Sequence, residues 1–106
     1  MFALNVSMHL KPNRIAEFTR TTDQEIIPLL RRQKGFQDEI TFVAPGGLEA
    51  NGISLWDEKE DVDAYNRRTH PEVLKILANV VEGTPRVDIY EVGSSTFHKI
   101  AAKVTS

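Results

Sequence analysis

Between Gly52 and Glu72 the chain reads GISLWDEKEDVDAYNRRTHPE, and Trp56, Tyr65 and His70 in that stretch can recognise or process a small molecule. An imidazole with an ordinary pKa near ~6.5 is the natural proton acceptor at neutral pH. Indole and phenol rings can stack against an aromatic ligand. His9 is a second proton acceptor, Ser7 and Asn5 precede it on the first strand, and Arg86 at the start of the last strand is a conceivable anion partner. Asn5 is the most telling, because mid-strand asparagine is disfavoured and its amide needs partners. Each residue also has a plainer role. Trp56 and Tyr65 can be packing residues, His70 can belong to a helix junction, and Asn5 can make a structural hydrogen bond.

Other chemistries lack their residues. The chain has 106 residues and no cysteine, which removes disulfides, thiol nucleophiles and thiolate metal sites. His9, His70 and His98 do not have metal-ligand spacing. Gly46-Gly47 follows a proline in a turn and opens no helix, so there is no phosphate loop. No strand–elbow–helix motif presents a serine nucleophile. A formal charge of −2 gives no footprint for nucleic acid. No apolar run approaches the ~18 residues of a membrane span, and the start resembles no signal peptide. Cytoplasmic location is the default expectation.

The elements that must position these residues follow from periodicity. Phe2 to Leu10 alternates, with Phe2, Leu4, Val6, Met8 and Leu10 on one face and Ala3, Asn5, Ser7 and His9 on the other. Asn13 is a plausible cap for a helix over 14–33, with Pro28 predicting a kink or interruption near 24–28. Lys34-Gly35 closes that helix. Strands are expected at 36–44 and 53–56, joined as a hairpin through Pro45-Gly46-Gly47, with an irregular tip at Asn51-Gly52. Asp57 and Glu60 have capping-box spacing, and Thr69, Pro71 and Glu72 repeat a helix start, giving a helical unit over 57–82. A fourth strand is expected over 86–92. Residues 93–106 form a C-terminal extension to a core of 2–92, and Phe97, Ile100, Ala101 and Val104 can dock as a short helix.

One domain over 1–106 with the order β-α-β-β-α-β is the ferredoxin-like split βαβ arrangement, an α+β fold. Its four-stranded antiparallel sheet carries both helices on one face and leaves the other uncovered. Strands apolar on more than one side then predict an obligate homodimer, since burying the second face gains ~25 cal/mol per Å².

The succession Lys11, Pro12 and Phe18, then Lys34-Gly35-Phe36, then ISLWDEKEDVDAY with His70 five residues beyond Tyr65, resembles the antibiotic-biosynthesis-monooxygenase-like family of dimeric α+β barrels. The resemblance spans about residues 2–92. It implies a pocket between helices and sheet in each subunit, and sheets paired across a dimer. It also implies that Asn5, Ser7 and His9 point toward the helices, with Phe2, Leu4, Val6, Met8 and Leu10 lining the dimer interface. The activity it implies is cofactor-independent oxygenation of a small aromatic or quinol-type substrate. His70 and His9 would take a proton and Asn5 would hold an oxyanion, while Trp56, Tyr65, Ser7 and Arg86 would bind substrate. Haem-degrading members carry a helix-two tryptophan and an axial histidine, where this chain has Tyr65 and Lys75. Neither haem nor another cofactor is therefore expected. The alternatives are a non-catalytic dimeric module binding a small hydrophobic molecule, and a domain whose dimerisation is its function.

Overall fold

The computed structural model describes residues 1–97. Strand β1 (Phe2–Leu10) is followed by helix α1 (Ile15–Thr21), a π-helical turn (Thr22–Ile26) and helix α2 (Ile27–Arg31). Strands β2 (Phe36–Val43) and β3 (Glu49–Trp56) form the hairpin, then come helices α3 (Lys59–Arg68) and α4 (His70–Leu77) and strand β4 (Val81–Glu91). All pairings are antiparallel, in the order β2-β3-β1-β4. This is the α+β ferredoxin-like fold.

The interruption expected near Pro28 is the π-helical turn. Pro28 has no N–H for the carbonyl four residues back and its ring crowds that carbonyl, so the turn ahead of it widens. Asn13 does not cap the first helix; it takes a left-handed conformation (φ 60°), and Arg14 stands at the cap position instead. Gly35 does not close the helical run, which ends at Arg31 with Arg32 as its cap; Gly35 lies in the turn leading into β2, at φ 82°, where a Cβ would collide with the Asp61 carboxylate.

Three boundaries differ from the sequence expectation. The capping box lies one residue later, on Glu58 and Asp61, which frees Asp57 to accept from the Gln37 amide at 2.8 Å. Strand β3 begins at Glu49, so Asn51-Gly52 is strand interior, and the tip is closed by the Ala44 N–H donating to the Glu49 carbonyl at 2.8 Å. Helix α4 stops at Leu77 rather than running to 82. Val80 in the following turn and Val81 at the start of β4 are buried there, with Val81 opposite Leu10 and the Lys11 N–H on the Val80 carbonyl at 2.9 Å. A helical and an extended Val-Val pair bury equally well, so apolar content did not distinguish them.

The largest correction concerns the faces of β1. Leu4, Met8 and Leu10 are buried, and they pack against Phe18, Ile26 and Leu30 of the first helical layer and Val62, Val73 and Leu77 of the second. The apolar face therefore looks toward the helices, not toward a dimer partner. Asn5, Ser7 and His9 lie on the uncovered face. The physical reason is simple: the strand's apolar side chains gain most by joining the core their own chain supplies. The C-terminal docking helix proposed on Phe97, Ile100, Ala101 and Val104 lies mostly outside the described residues; Phe97 itself is exposed.

Candidate functional site

Between sheet and helices lies a cavity of about 50 Å³. Its walls are mostly apolar, from Leu4, Val6, Met8, Phe18, Ile26, Leu30, Val73 and Leu77, with Tyr65, His70, Glu39, Thr41, Ser54 and Thr22 as the polar members.

His70 is delivered by the junction of α3 and α4. Thr69 turns the chain, its hydroxyl donating to the Gln33 side-chain oxygen at 3.1 Å, and Pro71 fits the first turn of α4 behind it. His70 is only 6% exposed, and neither ring nitrogen has a hydrogen-bond partner among the described residues. Burial pushes its pKa below the ordinary value, so the imidazole is neutral at physiological pH. Two orphaned nitrogens on a cavity wall are an expensive arrangement unless water or a ligand reaches them.

Tyr65 stands one face-turn back on α3, beside the fully buried Val62. Its ring centroid is 6.0 Å from that of His70 and 4.9 Å from that of Trp56. Trp56 in turn meets Phe36 edge-on at 5.5 Å and donates its indole N–H to Ser54 Oγ at 2.8 Å. Burial raises the Tyr65 pKa strongly, and the nearby negative charge of Glu39 raises it further. The phenol stays protonated and can donate. Trp56 does not reach the cavity; fully buried, it backs Tyr65.

Glu39 is the residue that sequence reasoning missed. In the β2–β3 register it pairs with Ser54, and Thr41 pairs with Gly52, on the face that carries Leu4 and Val6. Thr41 donates to Glu39 Oε2 at 2.6 Å. Burial raises the carboxyl's pKa, and that hydrogen bond works in the opposite direction. The signal was present but inverted. Ile40 and Phe42 look like the core face of β2, whereas they are 44% and 54% exposed and the polar alternates turn inward.

The other expected site residues are elsewhere. Asn5 Oδ1 accepts from Asn51 Nδ2 at 3.1 Å, and the same amide donates to Ser7 Oγ at 3.0 Å, a self-satisfied cluster on the uncovered face. His9 is exposed at the strand end, 3.7 Å from Glu49. Arg86 is exposed and pairs with Asp88 at 3.0 Å. Asn5, Ser7, His9 and Arg86 therefore do not converge on His70; the sheet separates them. Only His70 and Tyr65 of the expected set meet at the cavity.

No family model matches the chain, and no curated protein does. Solved structures do. A monooxygenase of Streptomyces coelicolor, in complex with the ligand nanaomycin D, superposes with a TM-score of 0.74 at 13% identity, covering 99% of this chain and 92% of that one. A Bordetella bronchiseptica protein described as an antibiotic biosynthesis monooxygenase gives 0.73 at 18% identity, over 86% and 95%. A Nitrosomonas europaea protein of unknown function gives 0.71 at 17%, over 99% and 94%. The chain thus has the fold of the antibiotic-biosynthesis-monooxygenase-like proteins. At these identities the likeness is one of fold.

Proposed function

We propose that this chain is a cofactor-independent monooxygenase acting on a small phenolic or quinol-type substrate at the sheet–helix cavity. The observation that carries this reading is His70, a buried neutral imidazole with both nitrogens unpartnered, on the wall of a cavity it shares with Tyr65 and Glu39. His70 takes the proton of the bound phenol. The electron-rich phenolate passes an electron to dioxygen, and radical recombination at a ring C–H carbon gives a hydroperoxide. Loss of water leaves a quinone, so phenol plus O₂ yields quinone plus H₂O. The protein supplies the base, the Tyr65 hydroxyl as a donor to developing charge, and apolar walls that exclude water.

Haem finds less support, because the position at which the resemblance puts an axial histidine is Lys75, exposed on α4. A homodimer joined through the uncovered sheet faces belongs to the same proposal. Ile40, Phe42 and Tyr90 are large, exposed and on that face, and pairing two copies would bury them.

Oxygen uptake with a panel of naphthols and hydroquinones tests the activity. His70→Ala should lower turnover about 10²-fold or more, the usual contribution of a general base. Undiminished turnover in the folded variant rejects His70 as the base. Tight binding of one panel member without oxygen uptake would instead assign the chain as a small-molecule binder.

A further inference from the structure

A cavity of about 50 Å³ is too small for the substrate class proposed above. Even benzene occupies engineered cavities of about 150 Å³. The missing space lies next door. A groove of about 730 Å³ opens between α1 with its π-helical turn and β2, lined by Ala16, Thr19, Arg20, Gln24 and Val43 among others. Thr22, Glu39 and Thr41 line both this groove and the buried cavity. They form a polar neck between the two chambers.

We propose that cavity and groove are two halves of one binding site, and that Glu39 at the neck is a specificity residue accepting a hydrogen bond from a ligand hydroxyl. This rests on the small-molecule reading of the cavity but not on oxygen chemistry. Three features support it. Thr41 uses its hydroxyl on one Glu39 oxygen, which orients the carboxyl and leaves acceptor capacity free. Half-burial of a carboxyl at a neck is costly without a compensating donor, and a ligand hydroxyl provides one. The π-helical turn sets Thr22 inward and buried, while Asp23 and Gln24 remain exposed along the groove. The occupant is therefore an aromatic alcohol longer than one ring. It carries two hydroxyls, an inner phenol beside His70 and Tyr65 and a second hydroxyl at Glu39, with its remaining ring in the groove.

The test is calorimetric titration with 5-hydroxy-1-naphthol as the naphthol and with its 5-methyl ether, which keeps one hydroxyl and lacks the second donor. The wild-type chain should prefer the naphthol by about tenfold, as befits one hydrogen bond to a charged group. In Glu39→Leu that preference should collapse to within about twofold. A preference that survives in Glu39→Leu, or naphthol failing to bind the wild type, overturns the proposal. Ala16→Phe, a substitution at an exposed helix position, narrows the groove without touching the core. It should weaken naphthol binding by about fivefold or more, and unchanged affinity would overturn the two-chamber site. Failure of the oxygenase reading would look different: naphthol binds through Glu39 but no oxygen is consumed.

Discussion

On the helix-covered face of the sheet, Glu39, Thr41 and Ser54 sit among apolar walls beside a histidine that bonds to nothing. On the open face the polar residues Asn5, Ser7 and Asn51 bond one another, while the large apolar residues Ile40, Phe42 and Tyr90 are exposed. Each face thus carries what its surroundings alone would not select. Polar groups left wanting on a covered face point to a ligand. Apolar groups left wet on an open face, around a satisfied polar seam, point to another surface. The same residue types carry different meanings according to whether their partners are already in place.

The contrast is sharpest in stability. Leu4→Ala should destabilise by about 2–5 kcal/mol in urea unfolding, since it opens a void in the core. Its neighbour Asn5→Ala should cost under about 1.5 kcal/mol, the worth of a hydrogen bond that water can replace. Equal losses would show that the two faces are not distinct environments.

Next in size is the open face. Phe42→Asp should weaken the proposed homodimer by about 2 kcal/mol or more, roughly 30-fold, as sedimentation equilibrium would read. A mass unaffected by the substitution would remove that face from the interface.

The covered face has a pH signature. His70 has its pKa lowered on folding, so between the folded and unfolded values the unfolded chain binds the extra proton. Its contribution to stability is present above ~6.5 and is lost as pH falls through the folded value, at no more than ~1.4 kcal/mol per pH unit. Glu39, shifted upward, has the opposite sign: its contribution is present at low pH and lost as pH rises through the folded value. Urea midpoints followed from pH 7.5 down to ~5.5 should fall. His70→Leu should flatten that slope, and a slope that persists would assign the proton to another group. The smallest effect belongs to Arg86→Ala, an exposed ion pair on the open side, expected within about 0.5 kcal/mol. Naphthol affinity in that variant should also stay within about twofold, and a larger drop by calorimetry would bring Arg86 back to the site.

The fold was legible because its signals are local. Alternation from Phe2 to Leu10, Gly35 in a turn and Pro28 inside a helical run each act through their own backbone. The junction at Thr69-His70-Pro71 was legible for the same reason, and it places the one residue on which the proposed activity rests. What was not legible is which way a strand faces. The assignment of Asn5, Ser7 and His9 to the pocket followed a family resemblance over the plainer rule that a strand's most apolar side meets its own helices. Glu39 could be found only through its pairing with Ser54, a contact between strands that spacing along the chain does not encode.

One feature of β4 bears on how copies can meet. It lies at an edge of the sheet, and it is irregular there: Pro85 has no N–H to offer, and Gly83 turns left-handed at φ 72° where the register with β1 shifts beyond Ser7. At the opposite edge, β2 carries its own irregularity between Phe36 and Asp38. Both borders therefore interrupt the ladder of free backbone donors and acceptors that an incoming strand would extend. Open-ended, fibre-like growth is discouraged at each border, which leaves the sheet face, not the strand edges, for the proposed pairing of two copies.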